Sequence, residues 1–219
     1  MKIIKKILLL ILIVIIIVLS ILMISGYSMY KKAITEIPLE DKISSYETNK
    51  NYAYFKELPK DYVNAVVAIE DHRFYDHNGI DIISIGRAIV RNISNLEYVE
   101  GGSTITQQVA KNLYFTQEKK LTRKIAEVFV AFDLEKNYDK DKILELYVNS
   151  NYFGSGYYGV KEAAKGYFDK SLDELTLEEC ALLAGIPNAP SVYSLDENPD
   201  LAYERAQQVL NAMEKYGNE

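Results

Sequence analysis

The chain has 219 residues, 48% of them hydrophobic, and a formal net charge of −6 at neutral pH. That acidic balance excludes a general nucleic-acid footprint, so any anion site has to be a local basic cluster on an acidic background. A single cysteine, Cys180, excludes an internal disulfide, and the apolar content with 18 tyrosines excludes a disordered chain.

Residues 1–6 carry Lys2, Lys5 and Lys6 and read as a short tail. From Ile7 to Ile24 the sequence runs "ILLLILIVIIIVLSILMI", with Ser20 its only polar residue. At about 1.5 Å per residue this run spans roughly 27 Å, the thickness of a bilayer core. It continues into "SGYSMYKK" without a small-x-small cleavage site, so residues 7–26 are expected to be a retained transmembrane anchor rather than a signal peptide. Tyr27 and Tyr30 suit the headgroup interface. The lysines ahead of the run slightly outweigh Lys31 and Lys32 after it, which places the amino terminus in the cytoplasm and the body of the protein outside.

Residues 27–57 are expected to be a short stalk or an extended entry into the domain, since from residue 31 they are polar and charged, contain Pro38 and hold no lasting periodicity. A mainly helical domain is expected over 58–219. "KDYVNAVVAIEDHRF" carries Val63, Val66, Val67 and Ile69 or Glu70 at helical spacing, and Asp81 stands as an N-cap ahead of "IISIGRAIVRNI". Thr176 and Glu179 form a capping-box pair. Asn198, Pro199 and Gly217 mark the two ends of the last helix.

Three segments carry chemistry. In "GGSTITQQVAKNLYF", Gly101 and Gly102 precede a cap at Ser103 or Thr104, and Ile105, Val109 and Leu113 make a buried stripe. Thr104, Gln108 and Lys111 fall on another face, beside a helix amino terminus that favours anions. In "KKLTRKIAEVFVAF", Lys119, Arg123 and Glu127 recur every four residues, with Leu121, Ile125, Val128 and Phe132 on the opposite side. With Lys111 these cations suit a diphosphate. In "AIEDHRFYDHNGID", Glu70 closes an apolar helical run, so it is expected to be desolvated and a better base near neutrality. The bland alternative is an ion pair with Arg73 or His72. His72 and His77 are too few for a metal cage, and His77 reads as a strut for the turn.

The segments "EDHRFYDHNGID", "GGSTITQQVAKN", "RKIAEVFVAFDLEK" and "ILELYVNSNYFGSGYYGVKEAAKGYF", in this order, closely resemble the peptidoglycan glycosyltransferases. These are the chain-polymerising modules of bifunctional penicillin-binding proteins and their monofunctional relatives. The resemblance covers about 58 to 195. It implies a mainly α, lysozyme-like fold of two lobes, with lipid II as substrate. Carried over by position, Glu70 is implied as the general base and Glu127 as the second essential carboxylate. Gly102, Ser103, Gln108, Lys111 and Asn112 match the substrate-lining motif, and Arg123 and Lys124 the basic pair ahead of Glu127. Lys119 stands where relatives often carry arginine; it keeps the charge and loses the bidentate fork.

The implied reaction joins the C4 hydroxyl of one sugar to C1 of a lipid-linked growing chain, with inversion. Its leaving group is an anionic polyprenyl diphosphate, which needs positive charge more than a proton donor. A hydrolase would instead need a carboxylic acid to protonate the leaving sugar. The resemblance is compatible with a divalent cation, Mg or Mn, near Glu127 or the diphosphate, and calls for no organic cofactor. Implied partners are lipid II, the growing lipid-linked glycan, the membrane and other cell-wall synthesis proteins. "SMYK", Ser28 to Lys31, matches S-x-x-K without the partner motifs of a transpeptidase, so a monofunctional enzyme is expected. The rival readings are a lysozyme-like lytic enzyme and an inactive membrane-tethered scaffold.

Overall fold

The computed structural model describes residues 2–95, 101–116, 118 and 120–217, and nearly all regular structure in them is helical. The mainly α expectation holds. Among the described residues eleven α-helices follow in order: α1 (Lys2–Glu36), α2 (Leu39–Glu47), α3 (Lys60–Glu70), α4 (Ile82–Asn95), α5 (Ile105–Tyr114), α6 (Leu121–Asn137), α7 (Lys140–Ser150), α8 (Val160–Phe168), α9 (Leu177–Gly185), α10 (Pro190–Tyr193) and α11 (Pro199–Tyr216). Among the described residues the only extended pairing is one antiparallel bridge between Tyr152 and Tyr158.

The anchor does not give way to a stalk. α1 runs unbroken to Glu36, stops ahead of Pro38, and α2 follows at once. It is the one described helix long and apolar enough to cross a membrane. The part of α1 beyond the apolar run is amphipathic in a way the polar composition hides. Leu22, Gly26, Met29, Tyr30 and Ala33 recur at helical spacing and turn toward α6. At Gly26 an added Cβ would stand 2.5 Å from Ile125 Cγ2, so only glycine lets the two helices approach this closely. Tyr30 leaves the expected headgroup position: it is buried, stacks on Phe129 with ring centroids 5.4 Å apart, and donates a 2.6 Å hydrogen bond to Asp133 Oδ2.

The amphipathic helices pack as their stripes require. Ile105, Val109 and Leu113 of α5 are buried against α6 and α7, and nearly all of α7 from Ile143 to Asn149 lies inside. α6 differs from expectation. Its buried face is Ala126, Val130, Ala131 and Leu134, while Leu121 and Phe132 are exposed. The reason is that α6 is covered from two directions, by α1 and by α5, so the face with small residues goes inward and carries Glu127 with it.

The caps follow the sequence. Ile83 N donates to Asp81 Oδ1 at 2.9 Å, and Thr104 and Thr176 each close a capping box with the Gln or Glu three residues on. Asn198 stands at the start of α11, but its side chain makes no capping bond; Pro199 occupies the first turn, where a missing N–H costs nothing.

Candidate active site

Glu70 is the last residue of α3, whose Tyr62, Ala65 and Val66 are buried against α9 and α11. The chain then leaves the helix through Asp71, and the "EDHRFYDHNG" turn is pinned to the start of α5. Asp71 Oδ2 accepts from Ile105 N at 3.0 Å and lies 3.0 Å from His77 Nε2. Thr104 Oγ1 donates to Gly79 O at 2.7 Å, where Gly79 has a φ of +86° that favours glycine. His77 is therefore the strut the sequence suggested. The amino terminus of α5, expected to be an anion site, is occupied by the protein's own Asp71 carboxylate. Its function is to lock the residue beside Glu70.

That lock sets Glu70 against α5. Gln108 Nε2 donates to Glu70 Oε2 at 2.6 Å, and Arg205 Nη2 of α11 lies 4.0 Å from Oε1. The side chain is 7% exposed. Burial pushes its pKa above the ordinary glutamate value, with Asp71 adding to the rise; the Gln108 bond and the charges of Arg205 and Lys111 pull part of it back. Neither Arg73 nor His72 pairs with Glu70: Arg73 Nε lies 3.2 Å from Asp81, and the His72 ring stacks on Tyr216 with centroids 4.1 Å apart.

Across from Glu70, α6 presents the cations. Glu127, 2% exposed, pairs with Arg123 through one oxygen and with Lys124 Nζ at 3.1 Å through the other. Lys124 Nζ also donates to Ser103 Oγ at 2.5 Å. Burial, reinforced by the charges of Arg123 and Lys111, pushes the Lys124 ammonium down to about 8. Lys111 is lowered by burial and by Arg123, against the pull of Glu70. These are the signs of positive groups crowded into one place without enough counter-charge.

The two walls enclose a cleft of about 930 Å³. Glu70, Ser103, Gln108, Lys111, Arg123, Lys124 and Glu127 all line it, so most of the expected site converges. Two of the expected residues do not line it. Asn112 turns away and donates to Asn151 Oδ1 at 2.8 Å, tying α5 to the end of α7. Gly102 passes over α4, where a Cβ would stand 3.2 Å from Ile85 Cα; glycine there permits close approach of backbone rather than substrate contact. Lys119 lies outside the described residues.

Sequence reasoning missed the wall contributed by α11. Arg205, Gln208, Ala212 and Lys215 line the cleft at spacings of three and four, one face of the last helix, and Arg87 and Arg91 of α4 join them. A polar stripe in "YERAQQVLNAMEKYG" was the available signal. Among the described residues, seven Lys or Arg and two Glu line the cleft, a strongly positive enclosure in a chain of charge −6.

Among the described residues no ligand set for a resident divalent cation is assembled in the cleft. Both Glu127 oxygens are taken by Arg123 and Lys124, the neighbouring wall is cationic, and among the described residues no three His, Cys, Asp or Glu side chains cluster as metal ligands.

Comparison with known proteins identifies the family. The Transglycosylase family model matches residues 38–214. The chain belongs to the transglycosylase family. The matched region includes α2, which the expected domain start at 58 had left out. This transglycosylase is 46% identical over 182 residues to a Cupriavidus necator protein provisionally named a transglycosylase, covering 83% of this chain and 78% of that one. It is 47% identical over 178 residues to penicillin-binding protein 1F of Bacillus subtilis and 47% identical over 166 residues to penicillin-binding protein 1A of Aquifex aeolicus. It spans only 25% and 23% of the lengths of those two proteins.

Proposed function

We propose that this transglycosylase polymerises lipid II into peptidoglycan glycan strands. Glu70 accepts the proton of the acceptor sugar's C4 hydroxyl as that oxygen attacks C1 of the lipid-linked growing chain. The C1–oxygen bond to the diphosphate breaks on the opposite face, C1 inverts, and polyprenyl diphosphate leaves with the electron pair. Lys111, Arg123 and Lys124 meet the charge that develops on it. Glu127 acts through the cations it orients. Gln108 fixes the rotamer of the base.

The observation that carries this reading is one desolvated carboxylate facing three crowded cations across a single cleft. A lytic enzyme needs a carboxylic acid to protonate a sugar leaving group and has no use for the cationic wall. No step runs through a metal; a divalent cation would arrive with the diphosphate rather than on protein ligands. The spanning-length helix keeps the site beside a substrate held in the bilayer, and the lysines ahead of it favour a cytoplasmic amino terminus with the cleft outside.

The test is polymerisation by the full-length protein in detergent, with labelled lipid II and, in parallel, finished peptidoglycan. Long glycan from lipid II and no cleavage of peptidoglycan is the expected result. Cleavage without polymer would overturn it.

A further inference from the structure

Glu70 has a second oxygen, Oε1, that Gln108 does not hold, and buried polar atoms collect near it that the reaction does not use. Five buried atoms in this region lack a hydrogen-bond partner: Glu70 Oε1, Arg205 Nε, the hydroxyls of Tyr62 and Tyr147, and Asn151 Nδ2. They belong together. Arg205 Nη2 lies 4.0 Å from Glu70 Oε1, the charges of Glu70 and Arg205 both reach the Tyr147 hydroxyl, and Tyr62 interacts electrostatically with both Glu70 and Tyr147, with the Asn151 amide beside Tyr147. Tyr62 and Tyr147 are fully buried. Native interiors rarely leave a polar atom unpaired, and several around one carboxylate point to bridging water, which makes two to four such bonds.

Arg205 is built to face this place. Its stem passes over Gly185 of α9, where a Cβ would stand 2.8 Å from Arg205 Cγ. The guanidinium lies 5.8 Å from the Tyr193 ring centroid of α10, and Nη1 donates to Gln208 Oε1 at 2.9 Å. Three helices thus aim it at the end of a fourth.

We infer that Arg205, Tyr62 and Tyr147 are positioning residues for Glu70, holding its Oε1 through ordered water while Gln108 holds Oε2. The arrangement is chemically matched: one anionic acceptor meets two hydroxyls, a guanidinium N–H and an amide. The inference rests on the reading of Glu70 as the base. The other groups facing that carboxylate are Gln108 and Lys111 from α5 and Asp71 after α3, with Cys180 of α9 beyond Tyr62. Donors and positive charge favour the ionised form, so removing them makes Glu70 harder to ionise and moves the acid limb of the rate profile upward.

The test is the pH dependence of lipid II polymerisation by the full-length protein. Wild type should polymerise and Glu70→Gln should not. Tyr62→Phe with Tyr147→Phe, and separately Arg205→Gln, should each shift the acid limb upward by about one pH unit with KM nearly unchanged. Arg205→Lys should restore most of that shift. If Arg205→Gln proves unfolded by thermal melting, the tyrosine variants, which sit outside the cleft, carry the test. Acid limbs superimposing on wild type, or a high-resolution crystal structure with a dry space behind Glu70, would overturn the positioning role and leave Glu70 as base. No polymer from wild type would remove the base reading and this inference with it.

Discussion

Glu70 and Glu127 are both buried carboxylates on the same cleft, yet their electrical surroundings are opposite. Glu70 receives one neutral amide bond and an arginine at 4.0 Å, and burial dominates, so its proton affinity rises. Glu127 is clamped between a guanidinium and an ammonium, both within ion-pair reach. Burial by itself therefore does not make a base; burial with too little counter-charge does. Glu127, with one oxygen on each cation, serves to aim them.

The contrast can be broken from either side. The largest effect is expected at Glu70→Gln, which keeps the Gln108 contact and the shape while removing the proton acceptor. Polymer yield should fall by about 10²- to 10⁴-fold, with an unchanged melting temperature; near-normal chain growth would end the base assignment. Glu127→Gln should lose activity and stability together, because Arg123 and Lys124 are left without their anion. A loss of about 3 kcal/mol in denaturant unfolding is expected, whereas a variant as stable as wild type would show that the clamp matters little.

Smaller effects sharpen the comparison. The Lys124 ammonium loses its proton as pH rises through about 8. Inorganic diphosphate should therefore bind more weakly above that pH, and at pH near 8 its binding should draw a proton from buffer. Calorimetry in two buffers of different ionisation enthalpy measures that uptake, and Lys124→Arg, which stays charged, should abolish it. Last, Tyr30→Phe removes the bond to Asp133 and should cost about 1 kcal/mol of stability, read as a modest drop in Tm, while polymerisation stays normal.

Much of this was legible in the sequence because the deciding residues sit in short, local patterns. Glu70 ends an apolar helical run, and Gln108 and Lys111 share a helix face that follows a recognisable cap. Helical spacing therefore placed them before any coordinates did. What was not legible depends on distant partners. Nothing local says that the amino terminus of α5 is filled by Asp71, that Asn112 turns to Asn151, or that Arg205, far along the chain, reaches Glu70. The buried face of α6 was misjudged for the same reason. Leu121 and Phe132 look like core, but which side of a helix is covered is decided by α1 and α5, and nothing local to α1 says that it runs on past the apolar segment to pack there.

α6, with Arg123, Lys124 and Glu127, lies along the emergent part of α1, locked by the glycine at position 26. The anchor is thus a rotor shaft rather than a leash: turning it about its axis turns the mouth of the cleft by the same angle. A larger residue at position 26 would wedge the shaft away from α6 and loosen the bearing of the cleft on the bilayer.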